Sequence, residues 1–215
     1  ISDKSDIGIE ANLWESLLTI EADYFFERRN GMLLPPAITV PFEYGIGLSD
    51  ENEGVMENKG VELNIGNIRQ FQNGLKLGLN GNFSFAKNKM INVFESAATF
   101  DNPNRRRTGR PINTPFGYRA LGLFSTADDK NGDGIINGDD GYNVIQFSEL
   151  HPGDIKYEDV NNDGKIDSND EVAIGLSNYP QITYGFTPEI EWKGFDLTIF
   201  LQGVARNSLN VNNRF

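Results

Sequence analysis

Six stretches of this chain alternate apolar and polar side chains with a period of two, a pattern that few folds other than antiparallel sheets accommodate. Ile7, Ile9, Ala11 and Leu13 share one face, and Gly8, Glu10 and Asn12 share the other. Leu18, Ile20, Ala22, Tyr24 and Phe26 then oppose Thr19, Glu21, Asp23 and Phe25. Val61, Leu63 and Ile65 form a third run, and Leu75, Leu77, Leu79, Gly81, Phe83 and Phe85 a fourth. Ile182, Tyr184, Phe186, Pro188, Ile190 and Trp192 form the fifth, and Phe195, Leu197, Ile199 and Leu201 the sixth. Successive side chains of a strand point to opposite faces, so each run predicts a strand of about 8 to 13 residues. The fold class expected is all-β and antiparallel.

The connections are strongly unequal. Glu15-Ser16, the stretch around Asn67 to Asn73, and Lys193-Gly194 predict three short hairpin turns. Segments 27–58 and 87–180 are long. The expected organisation is therefore strands over 1–86 with a long loop at 27–58, a large excursion over 87–180, and a final hairpin over 181–215. Short turns at one end of a sheet and long loops at the other are the arrangement of a transmembrane β-barrel. A soluble sandwich gives the same alternation. Strand length favours the barrel, because tilted strands of about 9–11 residues cross an apolar layer whereas globular strands average about 5–6. Trp14, Tyr24, Phe26, Phe85, Trp192 and Phe195 also fall near strand ends, where interfacial aromatic girdles are expected.

Composition narrows the chemistry. There is no cysteine and one histidine, His151, so thiol catalysis and disulfides are excluded. The 31 acidic against 19 basic residues give a formal charge of -12, which argues against a nucleic-acid surface. Arg105, Arg106, Arg107 and Arg110 form a short basic cluster expected to be solvated loop. No run of about 18 apolar residues is present to make a transmembrane helix. No basic start followed by an apolar core is present, so no signal peptide is expected in this stretch of chain. Glu189 and Glu191 lie i, i+2 on a strand and are expected to line a hydrated lumen rather than act as paired catalytic acids. His151 precedes Pro152 with no Ser or Cys motif to serve, so no enzyme is expected.

Two acidic loops stand out inside the excursion. Asp129, Asn131, Asp133, Ile135, Asn137 and Asp140 occupy positions one, three, five, seven, nine and twelve around Gly134 at six. Asp159, Asn161, Asp163, Lys165, Asp167 and Asp170 repeat the pattern around Gly164. Oxygen side chains at this spacing, with a backbone carbonyl from Ile135 or Lys165 at seven, suit a hard cation, and structural Ca²⁺ is the cofactor expected. Asp at position twelve has a shorter arm than the usual Glu. The competing reading is that Asn-Gly and Asp-Gly simply make tight turns. A dockerin-type module needs a helix after each loop, and Gly141–Phe147 and Glu171–Gly175 are short and β-rich. Tyr118, Phe124, Tyr142, Phe147 and Tyr157 are expected to pack a small core within the excursion.

The stretches Tyr24–Leu33, Asn58–Leu63, Gly153–Asp167, and Pro180–Phe186 with Trp192–Leu197 resemble, in this order, motifs of the SusC/RagA family of TonB-linked outer-membrane transporters. The resemblance covers nearly the whole chain and the later portion of the family's barrel. It implies part of a 22-stranded transmembrane barrel with long extracellular loops, in the outer membrane of a Gram-negative bacterium. It further implies a plug in the lumen, a SusD-like surface lipoprotein partner, and import of oligosaccharide or peptide energised through the TonB complex. Glu10, Asn12, Glu21, Asp23, Glu62, Asn64, Asn80, Asn82, Glu189 and Glu191 would then line the lumen. A calcium-stabilised soluble adhesin or carbohydrate-binding module built on a sandwich is the alternative.

Overall fold

The computed structural model describes residues 1–34, 45 and 48–211. The chain divides into two compact units. Unit 1 comprises residues 1–94, 108–113 and 177–215, and unit 2 comprises residues 95–107 and 114–176.

Unit 1 is one antiparallel sheet. Its strands are β1 (Ser2–Leu13), β2 (Leu18–Leu34), β3 (Glu51–Gln70), β4 (Lys76–Asn92), β9 (Ile182–Trp192), β10 (Phe195–Thr198) and β11 (Leu201–Ala205). They are ordered β1-β2-β3-β4-β9-β10, with β11 also on β9. The excursion between β4 and β9 carries the helix α1 (Ala97–Asp101) and the short strands β5 (Phe116–Gly117), β6 (Ala120–Leu123), β7 (Ile155–Tyr157) and β8 (Val172–Ala173).

Each of the six alternating runs forms strand. Several strands run past the alternation, however, with β2, β3 and β4 spanning 17, 20 and 17 residues. The expected loop over 27–58 is therefore strand through Leu34 and again from Glu51, and its residues 35–44 and 46–47 lie outside the described residues. The extensions are held by backbone pairing, by ion pairs and hydrogen bonds, and by scattered apolar residues such as the buried Met90. Arg28 meets Glu57 at 3.0 Å, Arg29 meets Glu27 at 3.1 Å, and the Ser2 hydroxyl donates to Glu27 at 2.6 Å. The hairpin at Glu15-Ser16 closes with both residues at positive φ, as does Lys193-Gly194, the handedness that matches strand twist.

The sixth run is split into β10 and β11, although the register with β9 is unchanged, from Phe195↔Trp192 to Leu201↔Phe186. Pro188 is the cause. It has no N–H to give the Ile199 carbonyl, while its own carbonyl still accepts from the Ile199 N–H at 3.1 Å.

Register sorts the side chains by face. Ile7 sits opposite Tyr24, Tyr24 opposite Val61, Val61 opposite Phe85, and Phe85 opposite Ile182. The opposite face carries rows such as Glu10, Glu21, Asn64 and Asn82. The apolar face is uncovered: Ile9 is 70 % exposed, Phe186 44 % and Leu201 55 %. Among the described residues of unit 1 no second sheet packs on it, as a soluble sandwich requires, and Leu77, Leu79 and Phe83 all remain exposed.

Two glycines let aromatic rings lie flat across neighbouring strands. A Cβ at Gly60 would meet the Phe85 carbonyl oxygen and the Phe25 ring, and one at Gly203 would meet the Tyr184 ring. At Gly81 the nearest atom would be the Gly185 carbonyl oxygen at 3.9 Å. Gly60→Val is therefore expected to destabilise the folded sheet by about 1–3 kcal/mol through overpacking, whereas Gly81→Ala stays close to wild type. Heat-modifiable gel mobility of the intact protein reads the difference.

Candidate functional site

The two acidic loops of unit 2 fold alike. In the first, Asp129 Oδ1 accepts from the Gly132 N–H at 2.8 Å and Oδ2 from the Gly134 N–H at 2.9 Å. Asn131 Oδ1 accepts from the Asp133 N–H at 3.0 Å, and Asp133 Oδ1 from the Ile135 N–H at 2.8 Å. In the second, Asp159 Oδ2 accepts from Gly164 at 2.8 Å, Asn161 Oδ1 from Asp163 at 3.0 Å, and Asp163 Oδ1 from Lys165 at 3.1 Å. Positions four and six are left-handed in both, as Gly132 and Gly134 and as Asn162 and Gly164. Glycine, and asparagine among other residues, tolerates that backbone best.

Position twelve locks each ring. Asp140 Oδ1 accepts from the N–H groups of Lys130 at 2.7 Å and Asn131 at 3.2 Å, and Oδ2 from Asn137 at 3.1 Å. Asp170 repeats this with Val160 at 2.9 Å, Asn161 at 3.4 Å and Asp167 at 2.8 Å. Both aspartates are buried, Asp170 completely. A buried carboxylate survives only when its charge is met by such donors. Burial pushes the Asp140 carboxyl upward, and the N–H groups of Asn137, Lys130 and Asn131 outweigh it, so it lies below the usual carboxylate range. Asn137 and Asp167, at position nine, each cap a three-residue 3-10 turn that ends on the position-twelve aspartate. No long helix follows either loop, which removes the dockerin-type arrangement.

Several participants were not evident from spacing alone. The Lys130 ammonium donates to the Asp140 carbonyl, and the Lys165 ammonium pairs with Asp167 at 2.7 Å. That pairing holds the Asp167 carboxyl below its ordinary value and raises the Lys165 ammonium. Position eight is a buried isoleucine in both loops, Ile136 and Ile166. Ile136 bridges to Leu150 and Ile166 donates to the Ile145 carbonyl at 2.7 Å, so each loop is tied to a neighbouring segment. The repeated Gly-x-Ile at positions six to eight was the available signal.

The aromatics of unit 2 form two groups. Phe124 packs with Ile136, Leu150 and Tyr142, with the Phe124 and Tyr142 rings 4.9 Å apart and nearly perpendicular. Tyr118 lies 4.9 Å from Phe147 and 5.7 Å from Tyr157, although Phe147 stays 58 % exposed. Arg105, expected to be solvated, is half-buried against Glu171 at 3.1 Å. His151 lies 3.4 Å from Glu149 and 3.7 Å from Asp154, on the surface. On the polar face of unit 1, Thr19, Glu21, Asn64, Asn80, Asn82 and Thr187 line a shallow hollow of about 270 Å³.

No family model matches the chain. Three receptors of Formosa agariphila do. TonB-dependent receptor P3 is 26 % identical over 211 residues and P26 is 26 % identical over 212. P39 is 24 % identical over 217 residues. The matches take in 94 %, 95 % and 89 % of this chain and 20 % of each relative. Among solved structures, the RagAB peptide importer in its closed-closed state matches with a TM-score of 0.67 at 19 % identity, over 96 % of this chain and 21 % of that one. Its open-open state matches with a TM-score of 0.66 at 19 % identity, over 96 % of this chain and 20 % of that one. Over nearly its whole length the chain is similar to TonB-dependent receptors. It spans about a fifth of the length of the relatives it matches.

Asp170→Ala is expected to leave the Val160, Asn161 and Asp167 N–H groups without their acceptor in a buried place. The loss is about 3 kcal/mol or more, at roughly 1–3 kcal/mol for each stranded group. Limited proteolysis of the intact receptor should show new cleavage between Asp159 and Asp170, and none in β1–β4.

Proposed function

We propose that the whole protein is an outer-membrane importer whose sheet, seen here in part, belongs to a closed barrel of 22 strands. What supports this reading is the uncovered apolar face, set against a face that is mainly polar and interrupted by Phe25, Ile68 and Val204. The eleven residues of β9 span about 34 Å at roughly 3.4 Å per residue. Tilted by about 45°, that projects to roughly 24 Å, the height of the apolar band of an outer-membrane barrel. The polar face then lines the lumen around a plug, and the excursion between β4 and β9 is extracellular. The likeness to the RagAB peptide importer supports a peptide or oligosaccharide cargo, a SusD-like lipoprotein partner at the outer opening, and energy supplied through the TonB complex. A soluble sandwich requires a second sheet on the apolar face, and among the described residues of unit 1 there is one sheet.

Phe186 lies near mid-band on the apolar face and Thr187 beside it on the polar face. In the whole receptor, Phe186→Arg should cost about 2–4 kcal/mol of barrel stability and remove the protein from outer-membrane fractions. Cells with only this variant should lose TonB-dependent uptake of labelled oligopeptide and oligosaccharide. Thr187→Arg should still assemble. Equal assembly of the two variants, or uptake unchanged in cells lacking the receptor, would overturn the reading.

The ligand spacing of the two loops suits structural Ca²⁺, although among the described residues no group of three or more acidic side chains is gathered where an ion could sit. Asp129, Asn131, Asp133, Asn137 and Asp140 offer side-chain oxygens, as do Asp159, Asn161, Asp163, Asp167 and Asp170, with the Ile135 and Lys165 carbonyls at position seven, and the Asn131 and Asn161 amides donate to Asp133 and Asp163. The ion would neutralise crowded carboxylates and reduce the entropy lost in ordering the excursion. Calorimetry on the intact receptor should give Ca²⁺ binding heat that Asp129→Ala with Asp159→Ala abolishes. Absence of heat and of a melting shift at millimolar Ca²⁺ would dismiss the ion.

A further inference from the structure

On the apolar face the row above Val61 and Phe85, toward the charged extensions, is Lys59 directly opposite Lys87. One row further, Lys89 sits opposite Glu57. Like charges directly opposite on a strand pair are destabilising. Among the described residues, Lys59, Lys87 and Lys89 make no ion pair within 4.0 Å, and all three are exposed. The acids nearby on this face are already engaged: Glu57 with Arg28 at 3.0 Å, and Asp3 with the Asn30 amide at 3.3 Å. From Val61 to Phe85 and downward to Ile65 and Leu79 the face carries no charge at all. The lysine pair is thus the first charge met on leaving the apolar band.

We infer that Lys59 and Lys87, with Lys89 behind them, bind a phosphate of the lipid headgroups in the leaflet surrounding this end of the barrel. This rests on the membrane reading of the apolar face. The level is right. One row is two residues, about 7 Å of strand, and roughly 5 Å of height at a 45° tilt, which reaches the headgroup layer that flanks a hydrocarbon core of about 30 Å. Lysine stems lie along apolar surface while their ammonium groups rise into the polar layer. A single phosphate between the two ammonium groups removes the repulsion that the pairing creates and gains two charge-assisted hydrogen bonds. In a barrel whose long loops face outward, the leaflet at this end is the outer one, and the phosphate is that of a phosphorylated glycolipid of the lipid A kind.

The test uses the full receptor in detergent, exchanged into nanodiscs containing lipid A or its dephosphorylated form, with bound lipid counted by native mass spectrometry. Wild type should retain phosphorylated lipid A preferentially. Lys59→Gln with Lys87→Gln should lower that retention by roughly thirty-fold, the effect expected of two lysines near an anionic surface, and Lys59→Arg with Lys87→Arg should restore it. Lys76→Gln, on the polar face beside Glu191, should change nothing. Equal retention of dephosphorylated lipid A, or retention unaffected by the double Gln variant, would overturn the inference. Equal retention of phosphatidylglycerol would also overturn it, by reducing the pair to a generic anion surface. Failure of wild type itself to enter nanodiscs would instead count against the barrel.

Discussion

Everything in unit 1 depends on one hydrogen-bond register carried through the apolar rows of six neighbouring strands. A slip of one residue in any pair would turn every apolar side chain of that strand to the polar side. In a membrane it would also strand backbone groups where no water can replace their partners. The irregularities respect this. Register shifts occur between Asn30 and Met32, between Met32 and Leu33, and between Val55 and Met56, all in the charged extensions beyond the apolar rows. The one lesion inside those rows is Pro188, which removes a donor yet preserves register, because its own carbonyl still accepts from Ile199. A carbonyl short of a donor is a more tolerable loss than an orphaned N–H.

Unit 2 solves its folding problem in another way. Its hydrophobic core is small, centred on Phe124, Ile136 and Leu150, and too little apolar surface is buried to order so much irregular chain. The buried aspartates at position twelve act as internal ties in its place. Each gathers three backbone N–H groups from across its loop and closes a ring of about a dozen residues at one point. Asp128 makes a smaller version with Ser125, whose hydroxyl and N–H hold its carboxyl below the ordinary range.

The strands and their faces were legible because alternation is a direct image of the pleat. Strand ends were not. Beyond Phe26 and before Val61 the alternation of apolar residues ceases, while backbone pairing continues under ion pairs such as Arg28–Glu57, which leave no periodic trace. The acidic positions of the loops were legible from spacing. Their ammonium partners were not, because Lys130 stands at position two of its loop and Lys165 at position seven of the other, so no shared offset reveals them. The split of the last strand was readable in principle from Pro188, since a proline in a paired strand must break one rung of the ladder.

The acidic composition acquires a physical reason once faces are assigned. With the apolar rows facing lipid, as proposed, a carboxylate there would meet hydrocarbon, and the excess of twelve negative charges has to be held elsewhere. Glu10, Glu21, Asp23, Glu62, Glu189 and Glu191 all fall on the polar face, where asparagine, threonine and water are at hand. The remaining dense clusters are in unit 2, wrapped by backbone N–H groups. Unpaired cations mark the margins of the outward face: Lys59 and Lys87 at one end, and at the other Arg69 over the Phe71 ring and Lys193 over the Trp192 ring. The confinement of charge to the ends of the outward face sets which side of the sheet suits lipid, and how far along the strands that contact can extend.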